Sequence, residues 1–288
     1  MGLRTLTVLL VLLLAAPAVM AGGKVKTWKD PYLHMEFVWI PGGCFQMGCN
    51  KGDKECYFDE KPLHKVCLKG FWMSRRPVTV EEWQRFVKET HYTPKKKDLW
   101  GGCLDIGKPS FKQGPDHPVV CVSWYDAQAF AQWLSQKTGY KFTLPTEAQW
   151  EYACKDGARE LKYPWGEGTP INKANFWSGP GGVAQKDRWK YTSPVEAFPP
   201  GASGLYDMAG NVWEWCQDWY NSFYYKSSPQ DNPQGPKRTE ETKAELKFKA
   251  IRGACWSDQP KRLRCSQRAS LDPHQAFGSV GFRLVREE

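Results

Sequence analysis

The chain has 288 residues, 41% of them hydrophobic and 25% charged, and this composition predicts a folded protein and excludes wholesale disorder. It is rich in Trp (15), Cys (10), Gly (26) and Pro (21), which argues against a helical bundle or a coiled coil. The 40 Lys and Arg residues exceed the 31 Asp and Glu residues. Because the basic residues are spread along the chain and mixed with acidic ones, we expect no nucleic-acid partner.

The N-terminus predicts export. An apolar stretch follows Arg4, and the small residues Val19 and Ala21 stand at the −3 and −1 positions of a cleavage site. We therefore expect residues 1–21 to be a signal peptide, 22–34 an N-terminal extension and 35–288 one domain. No later apolar run is long enough to span a membrane. These features predict a secreted or periplasmic protein with no membrane span after cleavage, and an uncleaved N-terminal anchor is the alternative. Ten cysteines are more than a reducing compartment usually needs.

The predicted elements are few and short. Strands are expected at 35–40 and 66–72, on either side of a polar loop. Helices are expected to begin after Thr79, Ser123 and Thr146, because these residues can cap the first turn. The segments 94–118 and 157–204 show no periodicity and predict loops, and short strands are expected at 250–256 and 280–286. The fold class is therefore α+β with little regular structure.

Several long strings in order carry a family resemblance that extends over roughly residues 35–286. They are Pro41-Gly42-Gly43-Cys44-Phe45-Gln46-Met47-Gly48, His117-Pro118-Val119-Val120-Cys121-Val122-Ser123-Trp124, Leu144-Pro145-Thr146-Glu147, Gly210-Asn211-Val212-Trp213-Glu214-Trp215 and Gly281-Phe282-Arg283. The sequence is identified as resembling the formylglycine-generating enzyme (sulfatase-modifying factor) family, in particular a secreted, bacterial-type member. The resemblance implies the fold of that family, a variant of the C-type-lectin fold that calcium and disulfides stabilise.

Two calcium sites are implied by the resemblance and carried over residue by residue. Each would use side-chain or backbone oxygen atoms, the ligands that Ca²⁺ prefers. The first site would comprise Asn175, Phe176, Asp187 and Trp189, and the second Asp207, Gly210, Val212 and Glu214.

The catalytic metal of the family is not expected here. The resemblance implies a Cu(I) ion held by two Cys thiolates, ligands that suit a soft monovalent metal. The first thiolate position falls on Asp258, and no Cys follows it before Cys265. Cys255 stands where the family has an active-site Ser, and Trp213 keeps an aromatic residue that lines the family's substrate groove.

The ten cysteines divide into five predicted bridges. The resemblance implies Cys154–Cys265, and proximity in the chain suggests Cys44–Cys67, Cys49–Cys56 and Cys103–Cys121. The remaining Cys216 and Cys255 are interpreted as a structural disulfide, with a displaced metal or redox pair as the alternative. Glu147 and Glu151 lie one helical turn apart and could supply a base, but a structural role is favoured because the string recurs in the family regardless of activity.

The sequence leaves three functions open. We expect a calcium- and disulfide-stabilised protein without copper-dependent oxidase activity, which binds a peptide-like or small ligand, or a secreted protein, in a groove near Trp213. The alternative is an active oxidoreductase that converts a Cys of a sulfatase-type substrate to formylglycine or modifies another secreted substrate. Trp213, Cys255 and Cys216 are then the catalytic candidates. A purely adhesive, lectin-like module is a third possibility, which is supported only by analogy with the fold.

Overall fold

The computed structural model describes residues 25–94, 98–177 and 189–287. The predicted signal peptide and Asp187 lie outside these ranges. Within them, no helix is both long enough and apolar enough to cross a membrane.

Three α-helices, four single-turn 3-10 helices and fifteen short strands make up the regular structure of these ranges. The helices are α1 (Val80–Thr90), α2 (Trp124–Thr138) and α3 (Glu147–Cys154). The strands are β1 (Thr27–Lys29), β2 (Glu36–Ile40), β3 (Gly43–Met47), β4 (His64–Leu68), β5 (Phe71–Ser74), β6 (Asp98–Trp100), β7 (Cys103–Asp105), β8 (Lys108–Pro109), β9 (Phe142–Thr143), β10 (Trp213–Trp219), β11 (Lys249–Arg252), β12 (Arg268–Leu271), β13 (Gln275–Phe277), β14 (Val280–Gly281) and β15 (Val285–Arg286).

Each helix begins where its capping residues predict. Thr79, Ser123 and Thr146 are the N-caps of α1, α2 and α3, and each accepts a hydrogen bond from the third backbone N–H of its helix. The side chain at that third position returns a bond to the cap's own N–H, which completes a capping box. Gly139 ends α2 in the left-handed conformation, as expected of a glycine C-cap.

Two sheets form the framework. The larger has the strand order β1-β2-β5-β15-β9, so that part of the N-terminal extension forms its edge strand. The second has the order β12-β11-β10-β14, in which β10 and β11 are antiparallel and β10 and β14 are parallel. Aromatic residues of α1 and α2 fill the main core; Trp83 stacks on Phe130, which meets Phe282 edge-on.

The strand predictions are only partly right. The expected strand at 66–72 is divided between β4 and β5, because the chain turns at Lys69 and Gly70. The expected loop at 94–118 contains β6, β7 and β8. The expected strand at 250–256 ends at Arg252, since Gly253 and Ala254 both adopt positive φ angles (101° and 60°).

Candidate functional site

The loop that follows β11 holds the residues where the family would place its copper ligands. Gly253 and Ala254 turn the chain out of the sheet, and the backbone N–H of Trp256 then donates to the carbonyl of Asn211 at 3.0 Å. The Trp256 indole N–H donates to the carbonyl of Gly278 at 3.4 Å. The loop is therefore fixed against the start of β10 on one side and the end of β13 on the other.

Cys255 is a buried, protonated thiol in this loop. Its Sγ lies 3.1 Å from Asp258 Oδ2 and 3.1 Å from Ser257 Oγ, and its backbone N–H donates to the same carboxylate oxygen at 3.0 Å. Burial, and then the negative charge of Asp258, raises the pKa of Cys255 to about 12. The thiol therefore donates to Asp258 at neutral pH and lacks the thiolate character that nucleophilic or metal-binding cysteines need.

Asp258 has a structural part in the same loop. Besides Cys255, its carboxylate contacts the guanidinium of Arg262 at 3.4 Å. Its backbone carbonyl accepts a hydrogen bond from the N–H of Trp177 at 2.9 Å. A hard carboxylate engaged in this way is a poor ligand for Cu(I), so the donor set of the loop does not fit the family's copper ion.

The predicted Cys216–Cys255 bridge is wrong, since both cysteines are free and buried. In the sheet, Glu214 pairs with Arg252 and Trp215 with Ile251. Cys216 and Cys255 lie on opposite sides of the Glu214–Arg252 pair, and an antiparallel register carries them further apart with each residue. A disulfide requires Cα atoms within about 7 Å of each other. Burial raises the pKa of Cys216 well above its ordinary value.

The other four predicted bridges are present. They are Cys44–Cys67, Cys49–Cys56, Cys103–Cys121 and Cys154–Cys265. Among the described residues, one group of three potential metal ligands occurs, Cys49, Cys56 and Glu60. The two cysteines of that group form a disulfide and Arg264 contacts both oxygens of Glu60, so the group has no thiolate to offer a metal.

Trp213 is buried rather than exposed at a groove. Its indole is 6% exposed, and its backbone N–H donates to the carbonyl of Ser279 at 2.9 Å. Trp256, whose indole bonds to the carbonyl next to that of Ser279, is partly exposed. It belongs to an aromatic group that was not predicted from the sequence. Phe111 stacks on Tyr191 with ring centroids 4.4 Å apart, and Tyr191 meets Trp256 edge-on at 5.0 Å.

Residues of the two predicted calcium sites lie in one loop cluster. The backbone N–H of Asn211 donates to the carbonyl of Asn175 at 2.8 Å, and the Asn175 side-chain amide donates to the carbonyl of Tyr191 at 2.7 Å. The Asn211 amide donates to Asp207 Oδ1 at 3.3 Å. Phe176 is buried and Trp189 is partly buried, whereas Asp187 lies outside the described residues. All predicted ligands of the second calcium site therefore lie among the described residues, whereas those of the first site do not.

The side-chain donors of the predicted second calcium site are the carboxylates of Asp207 and Glu214, and Arg283 pairs with the second of them. Burial raises the pKa of Asp207 to about 6, although the Arg283 guanidinium and the hydrogen bonds from the Glu196 N–H and the Asn211 amide oppose this rise. Glu214 is fully buried; its Oε2 accepts from Arg283 Nε at 2.6 Å and from Trp150 Nε1 at 2.7 Å. Its Oε1 accepts from Arg283 at 2.7 Å and keeps a second lone pair for a cation.

Glu147 and Glu151 on α3 have structural partners. Glu147 forms two hydrogen bonds with the Arg268 guanidinium, at 2.7 and 2.8 Å, and a third with Arg252 at 3.2 Å. Glu151 contacts both Arg252 and Lys155, and its Oε1 accepts from the N–H of Gly48. Lys155 and Arg252 lower the pKa of Glu151 despite its burial, so this carboxylate stays ionised and paired.

Comparison with known proteins identifies the family of this chain and agrees with its fold. The sequence profile of the "Sulfatase-modifying factor enzyme 1-like domain" matches residues 25–288. Because this match covers most of the chain, the domain is of the sulfatase-modifying factor (formylglycine-generating enzyme) class. The chain belongs to this family, and its predicted α+β fold is confirmed.

Three relatives illustrate the range of the family. The formylglycine-generating enzyme of Streptomyces coelicolor is 32% identical over 95% of this chain and 96% of the enzyme. The serine/threonine-protein kinase Pkn1 of Chlamydia trachomatis serovar L2 is 36% identical over 90% of this chain, which spans only 39% of that kinase. The structure of PvdO from Pseudomonas aeruginosa covers 93% of this chain and all of PvdO, with 33% identity and a TM-score of 0.80.

Proposed function

We propose that this protein is a secreted or periplasmic member of the family that has lost copper-dependent oxidation of Cys to formylglycine and acts by binding a ligand. The contact between Cys255 and Asp258 carries the proposal. A carboxylate occupies the position that the resemblance gives to the first copper thiolate, and it accepts the proton of the one cysteine nearby.

The two free thiols do not replace the missing pair. Cys216 lies within β10 and Cys255 beyond the end of β11, and both are buried. A Cu(I) site needs two thiolates that can approach one ion. Since burial raises the pKa of each thiol, forming those thiolates at neutral pH would cost free energy as well as a rearrangement of the sheet.

The proposed ligand site lies beside Trp213, at the partly exposed rings of Trp256 and Trp177. The Trp256 indole N–H donates to the carbonyl of Gly278, and the backbone N–H of Trp213 donates to the neighbouring carbonyl of Ser279. The backbone N–H of Trp177 donates to the carbonyl of Asp258. The Trp177 ring is 44% exposed. An indole fixed as that of Trp256 is, with a second exposed indole on the neighbouring backbone, suits a peptide or a small organic ligand, since it buries apolar area at a low cost in entropy.

The stabilising elements support export and calcium binding. Four disulfides are typical of proteins from oxidising compartments, in agreement with the predicted signal peptide. Calcium would be held by Asp207 and Glu214 with the carbonyls of Gly210 and Val212, and it would link the loop cluster to β10. The ion's role here would be structural, because its oxygen ligands would come from two different parts of the chain.

An oxidoreductase is the second candidate, and the relatives favour it. The Streptomyces coelicolor protein, which is named a formylglycine-generating enzyme, aligns with almost the whole of this chain. In that case substitution of Cys255 should abolish the activity, because Cys255 is the thiol closest to the family's active-site position.

Thiol titration and copper binding distinguish the two candidates. With a thiol reagent and no reductant, we expect almost no reaction in the folded protein and two thiols per chain after unfolding in guanidinium, because two cysteines are free and buried. The Cys216→Ser variant should titrate one thiol. Competition with a Cu(I) chelator should show no tight copper site. The proposal would be refuted if both thiols react rapidly in the folded protein and if the protein binds Cu(I) tightly in a way that Cys255→Ser abolishes.

A further inference from the structure

A cleft of about 530 Å³ lies between the start of α2, the residues after α1 and the turn before β13. Its volume is within the range of ligand sites for small molecules. Tyr92, Trp124, Tyr125, Gln128, Gln132 and His274 are among its lining residues, and neither Trp213 nor Cys255 contributes to it. The cleft is therefore a separate place from the site proposed above.

Two aromatic rings form a corner of the cleft. Trp124 and Tyr125 are perpendicular, with centroids 5.3 Å apart, and Tyr125 also packs against the ring of His274 at 4.7 Å. Trp124 is fixed from behind, since its indole N–H donates to the carbonyl of Cys216 at 2.9 Å and the Lys249 ammonium lies 4.1 Å from its ring centroid. Tyr125 is 42% exposed. A ligand thus meets preorganised apolar faces.

Tyr92 forms another wall and is equally fixed. Its hydroxyl donates to Asp126 Oδ1 at 2.7 Å. The other oxygen of Asp126 accepts from the backbone N–H and the hydroxyl of Ser123, at 2.8 and 2.6 Å, within the cap of α2. The carboxylate is 1% exposed, so its charge serves the helix cap and does not face a ligand.

Gln128 and Gln132 supply the polar groups. They lie one turn apart on α2 and line the cleft beside the aromatic corner. In the part of the chain that the structure describes, neither amide forms a side-chain hydrogen bond within the protein. Each offers two N–H donors and one acceptor oxygen to a ligand. Among the described residues, the lining includes no Lys or Arg, and the Lys249 ammonium packs on the Trp124 ring, so these side chains offer an anionic ligand no direct ion pair.

We propose that this cleft binds a neutral, hydroxyl-rich ring, the chemical class of an uncharged sugar unit of a glycan. Such a ring has an apolar C–H face that packs on an indole or a phenol, and adjacent hydroxyls that pair with the donor and acceptor of an amide. The corner of Trp124 and Tyr125 supplies the first surface, and Gln128 and Gln132 supply the second.

The test is calorimetric titration of the whole protein with defined sugars. The probes are four neutral trisaccharides (maltotriose, cellotriose, mannotriose and triacetylchitotriose), an anionic one (sialyllactose) and N-acetyltyrosinamide. We expect at least one neutral trisaccharide to bind at millimolar concentration or better, and sialyllactose to bind less well. Tyr125→Ala should weaken binding at least about ten-fold, because it removes one face of the corner.

Tyr140→Ala is the matched control, because Tyr140 is also 42% exposed but follows the opposite end of α2. It should bind the sugar as the unaltered protein does, and thermal unfolding should show that both variants fold. The proposal is overturned if none of the neutral trisaccharides binds, if Tyr125→Ala binds unchanged, or if sialyllactose or N-acetyltyrosinamide is preferred. None of these outcomes depends on copper or on Cys255.

Discussion

At the scale of single residues, Gly210 determines how closely two loops approach. Its φ angle is +77°, and a Cβ atom at this position would lie 2.2 Å from the carbonyl oxygen of Asn175. No side chain can be accommodated there unless one backbone segment moves. Because Gly210 has no side chain, the two loops that carry residues of the predicted calcium sites can approach each other this closely.

A matched pair of substitutions tests this contact. Gly166 also has a positive φ angle (+95°), but a Cβ atom there would meet nothing within 4 Å. Both Gly166→Ala and Gly210→Ala incur the cost of the left-handed conformation, about 1–2 kcal/mol. Gly210→Ala should lower the free energy of unfolding further because of the clash, as measured by urea denaturation. Equal losses in the two variants would contradict the close approach of the loops.

The hydrogen bond between Cys255 and Asp258 could not be predicted from the sequence. The chain places Asp258 three residues after Cys255, and the resemblance identifies the missing thiolate there. The hydrogen bond between the two side chains depends on the turn from Cys255 to Asp258, in which the Asp258 N–H donates to the Cys255 carbonyl at 3.0 Å, and this turn follows the positive φ angles of Gly253 and Ala254. Ala at a positive φ is uncommon, so the sequence predicts a continuing strand instead.

At the scale of elements, α3 is held to the second sheet by buried charges. Arg252 on β11 and Arg268 on β12 contact Glu147 and Glu151 on α3, and all four side chains are almost fully buried. Removing one partner of such a group leaves the others charged and desolvated. The pairing explains why the two carboxylates of α3 serve structure and not catalysis.

Arg252→Leu should therefore be strongly destabilising, by about 3–5 kcal/mol, since Glu151 and Glu147 would lose their shared cation. The measurement is urea unfolding followed by Trp fluorescence. Arg159→Ala is the control, because Arg159 pairs with Asp156 at the surface and should change stability by less than about 1 kcal/mol. A loss no greater for Arg252→Leu than for Arg159→Ala would contradict the role assigned to the buried group.

The helices could be predicted from the sequence and the central strand could not. The caps at Thr79, Ser123 and Thr146 are local, because the cap and its partner lie three residues apart. Strand β10 is buried on both faces, so that Glu214 and Asp218 interrupt its apolar pattern without being exposed. Their partners, such as Arg283 for Glu214, are remote in the chain, and only the folded structure brings them together.

For the cysteines too, local pairings could be predicted from the sequence and a pairing that depends on strand register could not. Three bridges join cysteines that are close in the chain, and the resemblance supplied the fourth, which spans a sequence separation of 111 residues. The fifth prediction failed because it rested on the number of cysteines left over. The register between β10 and β11 decides that question, and neither composition nor spacing reveals a register.

At the scale of the whole molecule, disulfides and the proposed calcium would compensate for the small amount of regular structure. Chelation by EGTA should lower the melting temperature by several degrees, because a ligand that binds only the folded state stabilises it. Excess calcium should restore the melting temperature and magnesium should not. Asp207→Ala should melt at the same temperature with and without EGTA. A wild-type melting temperature that EGTA leaves unchanged would contradict the calcium proposal.

The most direct test of the central claim is oxygen consumption by the calcium-loaded protein, supplied with Cu(I) and a sulfatase-type peptide that contains one Cys. Because Asp258 stands in place of the first thiolate, we expect no consumption beyond that of Cu(I) and peptide alone, and no aldehyde on the peptide. The Cys255→Ser variant should give the same rate. Copper-dependent oxygen uptake with formylglycine in the product, lost in Cys255→Ser, would show that the protein has kept the oxidase activity.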